Sequence, residues 1–123
     1  MKVLCFGSEV IEGDDVAIKI CENLKGKIPG IEFSRCDDPA DVMDYEDEVV
    51  ILDVVKNLDN VSFVGIDSIN KKNMYTLHDF DLAFYLKLAE QMGKTNFKIL
   101  GIPFGSSAEE TTEKVKEMLA ERG

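Results

Sequence analysis

The feature that most constrains this chain is VVILDVV at residues 49–55. It is short, rich in β-branched residues and apolar at successive positions. A half-exposed strand would alternate apolar with polar, and a surface helix would keep one apolar stripe. A segment apolar on both faces needs cover on both, as in the middle of a parallel sheet. Asp53 interrupts the run near its carboxyl end. A carboxylate buried without compensation is costly. Asp53 is therefore either paired, with Lys56 three residues on as a candidate, or a functional carboxylate at a strand end.

The other segments supply the layers that such a strand needs. Residues 3–6 read as a buried strand ending at Gly7, residues 31–34 as a second strand, residues 61–66 as a fourth nearer an edge, and residues 97–102 as a fifth before Pro103. Helical spacing begins at Asp14, with Val16, Ala17, Ile20, Cys21 and Leu24 on one face and Gly26 to close it. Residues 39–45 read as a short helix. Residues 79–92 read as a long one, with Phe80, Ala83, Phe84 and Leu88 at helical intervals. Residues 107–122 form a terminal helix opened by a capping box of Ser107 with Glu110. Residues 67–76 are the longest candidate loop. Strands alternating with helices predict a three-layer α/β/α sandwich around a mostly parallel five-stranded sheet. The 123 residues fit a single domain, 1–123.

Charge narrows the function classes. The chain carries 24 acidic against 14 basic residues, a formal net charge of −10. Nucleic-acid binding needs a basic surface, and docking on anionic lipid needs one too. Both are disfavoured, and a partner with basic residues is favoured. The start MKVLCFGSEV turns polar too soon for a signal peptide, and no apolar run reaches the length of a membrane span. Cys5, Cys21 and Cys36 form neither a CxxC motif nor an even framework, so a reducing cytoplasm is expected. Cys5 and Cys21 read as small core residues, and Cys36 as a more open loop residue.

Ligands of open α/β sheets bind outside the carboxyl ends of the strands. That rule selects the segments after Phe6, Ser34, Ile66 and Ile102, and the surroundings of Asp53. After Gly7 comes GSEVIEGDD, with Asp14 and Asp15 at the helix start. Capping explains such a pair without any function. The segment has neither GxGxxG nor GK[ST], and its four carboxylates would repel a phosphate. His78, the one histidine, stands before the long helix, where a cap or surface role is the plain reading. Together Asp14, Asp53 and His78 offer two oxygens and one imidazole nitrogen, a set suited to nickel or zinc. No GxSxG is present, and a Cys36–His78 nucleophile pair has nothing else to place it.

These residues resemble the [NiFe]-hydrogenase maturation endopeptidases. GSEVIEGDDVAIKICENL, residues 7–24, is similar to the family's opening signature of strand, turn, acidic pair and amphipathic helix. VVILDVV resembles its aspartate-bearing strand, TLHDFDLAFYL its histidine before a helix, and KILGIP its last strand. The resemblance spans nearly the whole chain. It implies an aspartic-type endopeptidase, cytoplasmic, that removes a C-terminal extension from a hydrogenase large-subunit precursor after nickel insertion. The nickel is expected to be the substrate's own. The implied metal ligands are Asp14, Asp53 and His78, with Asp15 taking Asp14's role if the match slips by one residue. Ser8 stands where the family has asparagine. RCDDPAD, residues 35–41, stands where bacterial members have a glycine-rich segment, which suggests an archaeal branch.

Two other readings stay open. A receiver-type phospho-acceptor domain also has early acids and an aspartate ending its third strand. Against it, the acidic pair lies seven residues beyond Gly7, and no lysine immediately precedes Pro103. The other is a non-catalytic protein of the same fold that binds the nickel site without cutting.

Overall fold

The computed structural model describes residues 1–7, 15–36, 38–45, 47–65, 75–76, 79–94 and 96–122, with backbone alone for 39, 75–76, 79–84 and 122. Its strands are β1 (Lys2–Cys5), β2 (Glu32–Arg35), β3 (Val49–Lys56), β4 (Ser62–Val64), β5 (Tyr75–Thr76) and β6 (Phe97–Pro103). Its helices are α1 (Val16–Leu24), a 3₁₀ helix (Pro39–Asp44), α2 (Asp79–Gln91) and α3 (Ala108–Arg122).

The main sheet has the order β2-β1-β3-β6-β4. β1 runs parallel to β2 and β3, and β3 runs parallel to β6. β4 alone among these five is antiparallel, on the β6 edge. The five-stranded, mostly parallel sheet expected from the sequence is therefore present. Val49 to Val55 are wholly buried, as a strand apolar on both faces demands.

Period-2 alternation sends the sheet's side chains into two separate cores. Val3, Cys5, Val50 and Leu52 face α1 and α3, where Ile20, Leu24, Val115 and Leu119 meet them. Leu4, Phe6, Val49 and Ile51 face the opposite way, against Val42 of the 3₁₀ helix and Leu86 of α2. These are the three layers. All five residues predicted for the buried face of α1 are buried, and Gly26 follows it with φ 77°. Ser107 Oγ accepts the Glu110 N–H at 3.2 Å, so that half of the capping box forms.

Three expectations need correction. Leu88 does not join the core. It is exposed, and Leu86 and Ala89 are buried in its place. The segment YLKLAEQM has apolar residues at too many phases for its period to choose between these faces. Cys36 is buried rather than open, because its side chain enters the second core and its thiol donates to the Asp38 carbonyl at 3.3 Å. The loop predicted for 67–76 ends in β5, which pairs antiparallel with β3. Two residues carry too little pattern to announce a strand. No helix among the described residues is long and apolar enough to cross a membrane.

Candidate active site

β3 outruns β1. Their ladder ends with Cys5 opposite Leu52, and the Phe6 N–H still reaches the Leu52 carbonyl at 3.0 Å. Asp53 is the next residue of β3. It therefore lies within the strand and not at its end as expected, at the level where β1 gives way to the segment leading to α1. The carboxylate projects to the α2 face, in phase with Ile51. Asp53 is fully buried, and its Oδ1 accepts the Val54 N–H at 2.9 Å. That bond between neighbouring residues helps fix the carboxylate against the backbone.

On the other side of β3, Asp53 is opposite Gly101. A Cβ at position 101 would stand 2.8 Å from Leu58 Cδ2 and 3.0 Å from Val55 Cγ2. Glycine is needed there because Leu58 packs on the bare backbone. β3 leaves the sheet through Asn57, whose φ of 64° is left-handed and lets the chain turn sharply. Apolar groups thus flank Asp53 on both sides, Phe6 just after β1 and Leu58 over β6. Sequence reasoning missed this wall. The glycine inside KILGIP was the available signal, since glycine within a strand often marks a close approach.

The rim above is also built. The Phe104 N–H donates to the Val55 carbonyl at 3.1 Å. Ser106 closes a turn onto the Pro103 carbonyl, with Gly105 at φ 90°. Phe104 is held 45% exposed, and the Lys56 ammonium sits 5.1 Å from its ring centroid. β5 takes the edge of β3 that β1 has vacated, pairing Thr76 with Val55 and Tyr75 with Lys56.

Asp15 occupies the N-cap of α1, yet its side chain makes no capping hydrogen bond. It reaches along the helix instead, to Lys19 Nζ at 3.1 Å. The capping expectation for Asp15 thus holds for position and not for the side chain, because a charged partner one turn on competes with the backbone N–H groups. Asp14 and His78 lie outside the described residues, so of the three expected ligands the structure locates Asp53. Among the described residues, no three His, Cys, Asp or Glu side chains come together as a metal cluster.

A three-layer α/β/α fold with a buried carboxylate in the carboxyl half of its central strand defines the class. Within that class the chain shares its fold with the crystal structure of hydrogenase 2 maturation peptidase from Thaumarchaeota archaeon SCGC_AB-539-E09. The TM-score is 0.55 at 18% identity, covering 99% of this chain and 97% of that one. An uncharacterized protein from Wolinella succinogenes has the same fold, with TM-score 0.52 and 16% identity over 99% and 98% of the two chains. No protein-family model matches the sequence, and no curated protein matches it.

The strand order also bears on the receiver reading. Flavodoxin-like receivers are parallel sheets of order 2-1-3-4-5. Here the fourth strand in the chain lies antiparallel at the edge, and β6 takes the place beside β3. The topology departs from the receiver pattern.

Proposed function

We propose that this protein is an endopeptidase of the hydrogenase-maturation type, removing a C-terminal extension from a [NiFe]-hydrogenase large-subunit precursor after nickel insertion. The observation that carries the proposal is Asp53, a fully buried carboxylate in the carboxyl half of the central strand. Its support is the fold shared with a protein described as a hydrogenase 2 maturation peptidase.

In this reading Asp14, Asp53 and His78 bind the nickel held in the substrate's own site. Two pieces of local geometry support the grouping. The chain leaves β1 beside Asp53 and reaches α1 at Asp15, so the intervening segment, with Asp14 last, starts beside Asp53. β5 pairs Thr76 with Val55, so the chain passes the carboxyl half of β3 two residues before His78 in the sequence. Asp15 is engaged with Lys19, which favours Asp14 as the first ligand. Two carboxylates and an imidazole make an incomplete shell, fit to share a borderline cation with substrate thiolates and leave it with them. A bound divalent ion polarises a carbonyl or acidifies a water. The chain's contribution is to hold the ligands, and its apolar flanks, Phe6 and Leu58, keep water from Asp53.

The test is coexpression with a large-subunit precursor, with and without nickel, followed by mass measurement of the precursor's C-terminus. Shortening that requires nickel and is lost in Asp14→Ala, Asp53→Ala and His78→Ala is expected. Full processing by Asp53→Ala would sink the assignment. Binding of the precursor without shortening would point to the non-catalytic reading.

A further inference from the structure

All three cysteines are thiols, buried around the carboxyl end of β1. They do not share one environment. Cys36 belongs to the core on the α2 side, and its thiol is directed to the Asp38 carbonyl. Cys5 and Cys21 belong to the other core. Cys5 is on the face of β1 that meets α1, and Cys21 is on the buried face of α1 that meets β1.

We propose that Cys5 and Cys21 form an oxidisable dithiol, converted by peroxide to a disulfide that fastens β1 to α1. The pair is asymmetric. Cys21 is 5% exposed and Cys5 is sealed, so a small oxidant meets Cys21 first. A hydrogen bond from the Cys5 thiol lowers the Cys21 pKa, and Lys25 adds to this, against the opposing effect of burial. Burial, with the neighbouring Cys21, holds the Cys5 thiol well above its ordinary value. Thiolate is the reactive form, so Cys21 is the attacking sulfur and Cys5 the resolving one. Cys21 sulfur attacks one peroxide oxygen. The O–O bond breaks, water leaves, and Cys21 becomes a sulfenic acid. Cys5 sulfur then attacks Cys21 sulfur, and its proton leaves with the hydroxyl as a second water. Two thiols are oxidised by two electrons and one peroxide is reduced to two waters.

The bridge would tie the two elements that bracket residues 8–14, and so both ends of the segment carrying Asp14. The inference does not rest on the protease reading, because its test follows the protein alone. The wild-type chain is treated with a few equivalents of hydrogen peroxide while folded, quenched with N-ethylmaleimide under denaturing conditions, and weighed intact. Expected is loss of two hydrogens and labelling of one thiol instead of three, reversed by dithiothreitol. A non-reducing digest should link the Cys5 and Cys21 peptides. Cys36→Ser should lose the same two hydrogens and retain no labelled thiol. Labelling of all three thiols, a bridge that includes Cys36, or accumulation of Cys21 sulfinic acid would overturn the proposal.

Discussion

Gly101→Ala tests the packing beside Asp53. The added methyl would stand 2.8 Å from Leu58 Cδ2 and 3.0 Å from Val55 Cγ2, so one of them must move. Val55 is wholly buried within the sheet and has little room. Leu58 is half-buried in the turn after β3 and can yield in part. Overpacking of this kind costs about 1–3 kcal/mol. Replacing glycine by alanine in a strand returns about 0.5–1 kcal/mol of backbone entropy. At the middle of both ranges the balance is a destabilisation of about 1 kcal/mol. With a urea dependence of about 1–3 kcal/mol per molar, the unfolding midpoint should fall by roughly 0.3–1 M at unchanged slope. Leu58→Ala should relieve the strain, so the double variant should lose less than the sum of the singles, by about 1 kcal/mol. A midpoint equal to or above wild type in Gly101→Ala, or strict additivity with Leu58→Ala, would refute the reasoning.

Asp15→Ala removes an ion pair whose lysine side chain is 58% exposed, so stability should change by less than about 0.5 kcal/mol and precursor processing should persist, whereas Asp14→Ala should abolish processing at equal stability; both are read by gel shift and thermal melting. Ser107→Ala loses the hydroxyl that accepts the Glu110 N–H and should lower stability by about 1 kcal/mol in urea titration. Glu32 titrates below the ordinary carboxylate range because Lys2 hydrogen-bonds it at 2.7 Å and adds its positive charge. The sign of that linkage makes the contact's contribution complete above the ordinary glutamate value and lost as pH falls through the lowered one. Lys2→Met should move the Glu32 carboxyl titration upward by NMR, and an unmoved titration would remove Lys2 as the cause.

Much of the architecture was legible because long strands and amphipathic helices repeat their pattern. VVILDVV announced a doubly covered strand, and α1 showed its face through residues 16, 17, 20, 21 and 24. α2 was harder, since apolar residues at both 86 and 88 let the period point either way. β5 was illegible because its strand state comes from the edge that β3 leaves open beyond β1, a tertiary cause. At the candidate site, Asp53 stood out because it contradicts its surroundings. Its neighbours Gly101 and Leu58 did not, because each is ordinary in its own segment and only the ladder register brings them together. Cys36 was misjudged for a similar reason. A residue after a short strand reads as a loop, while the core on the α2 side takes up this side chain.

The strand order has a consequence for how the chain is made. The central strand is complete at Lys56, but its parallel partner β6 begins only at Phe97. At a synthesis rate of about 5–20 residues per second, the ribosome needs a few seconds to supply that partner. During this interval VVILDVV can have β1 and the two-residue β5 along one margin only, and its other margin can pair with a neighbouring nascent chain. Asp53 is the one charged residue in that stretch. The carboxylate that singles out the candidate site thus also discourages association of newborn chains before β6 arrives.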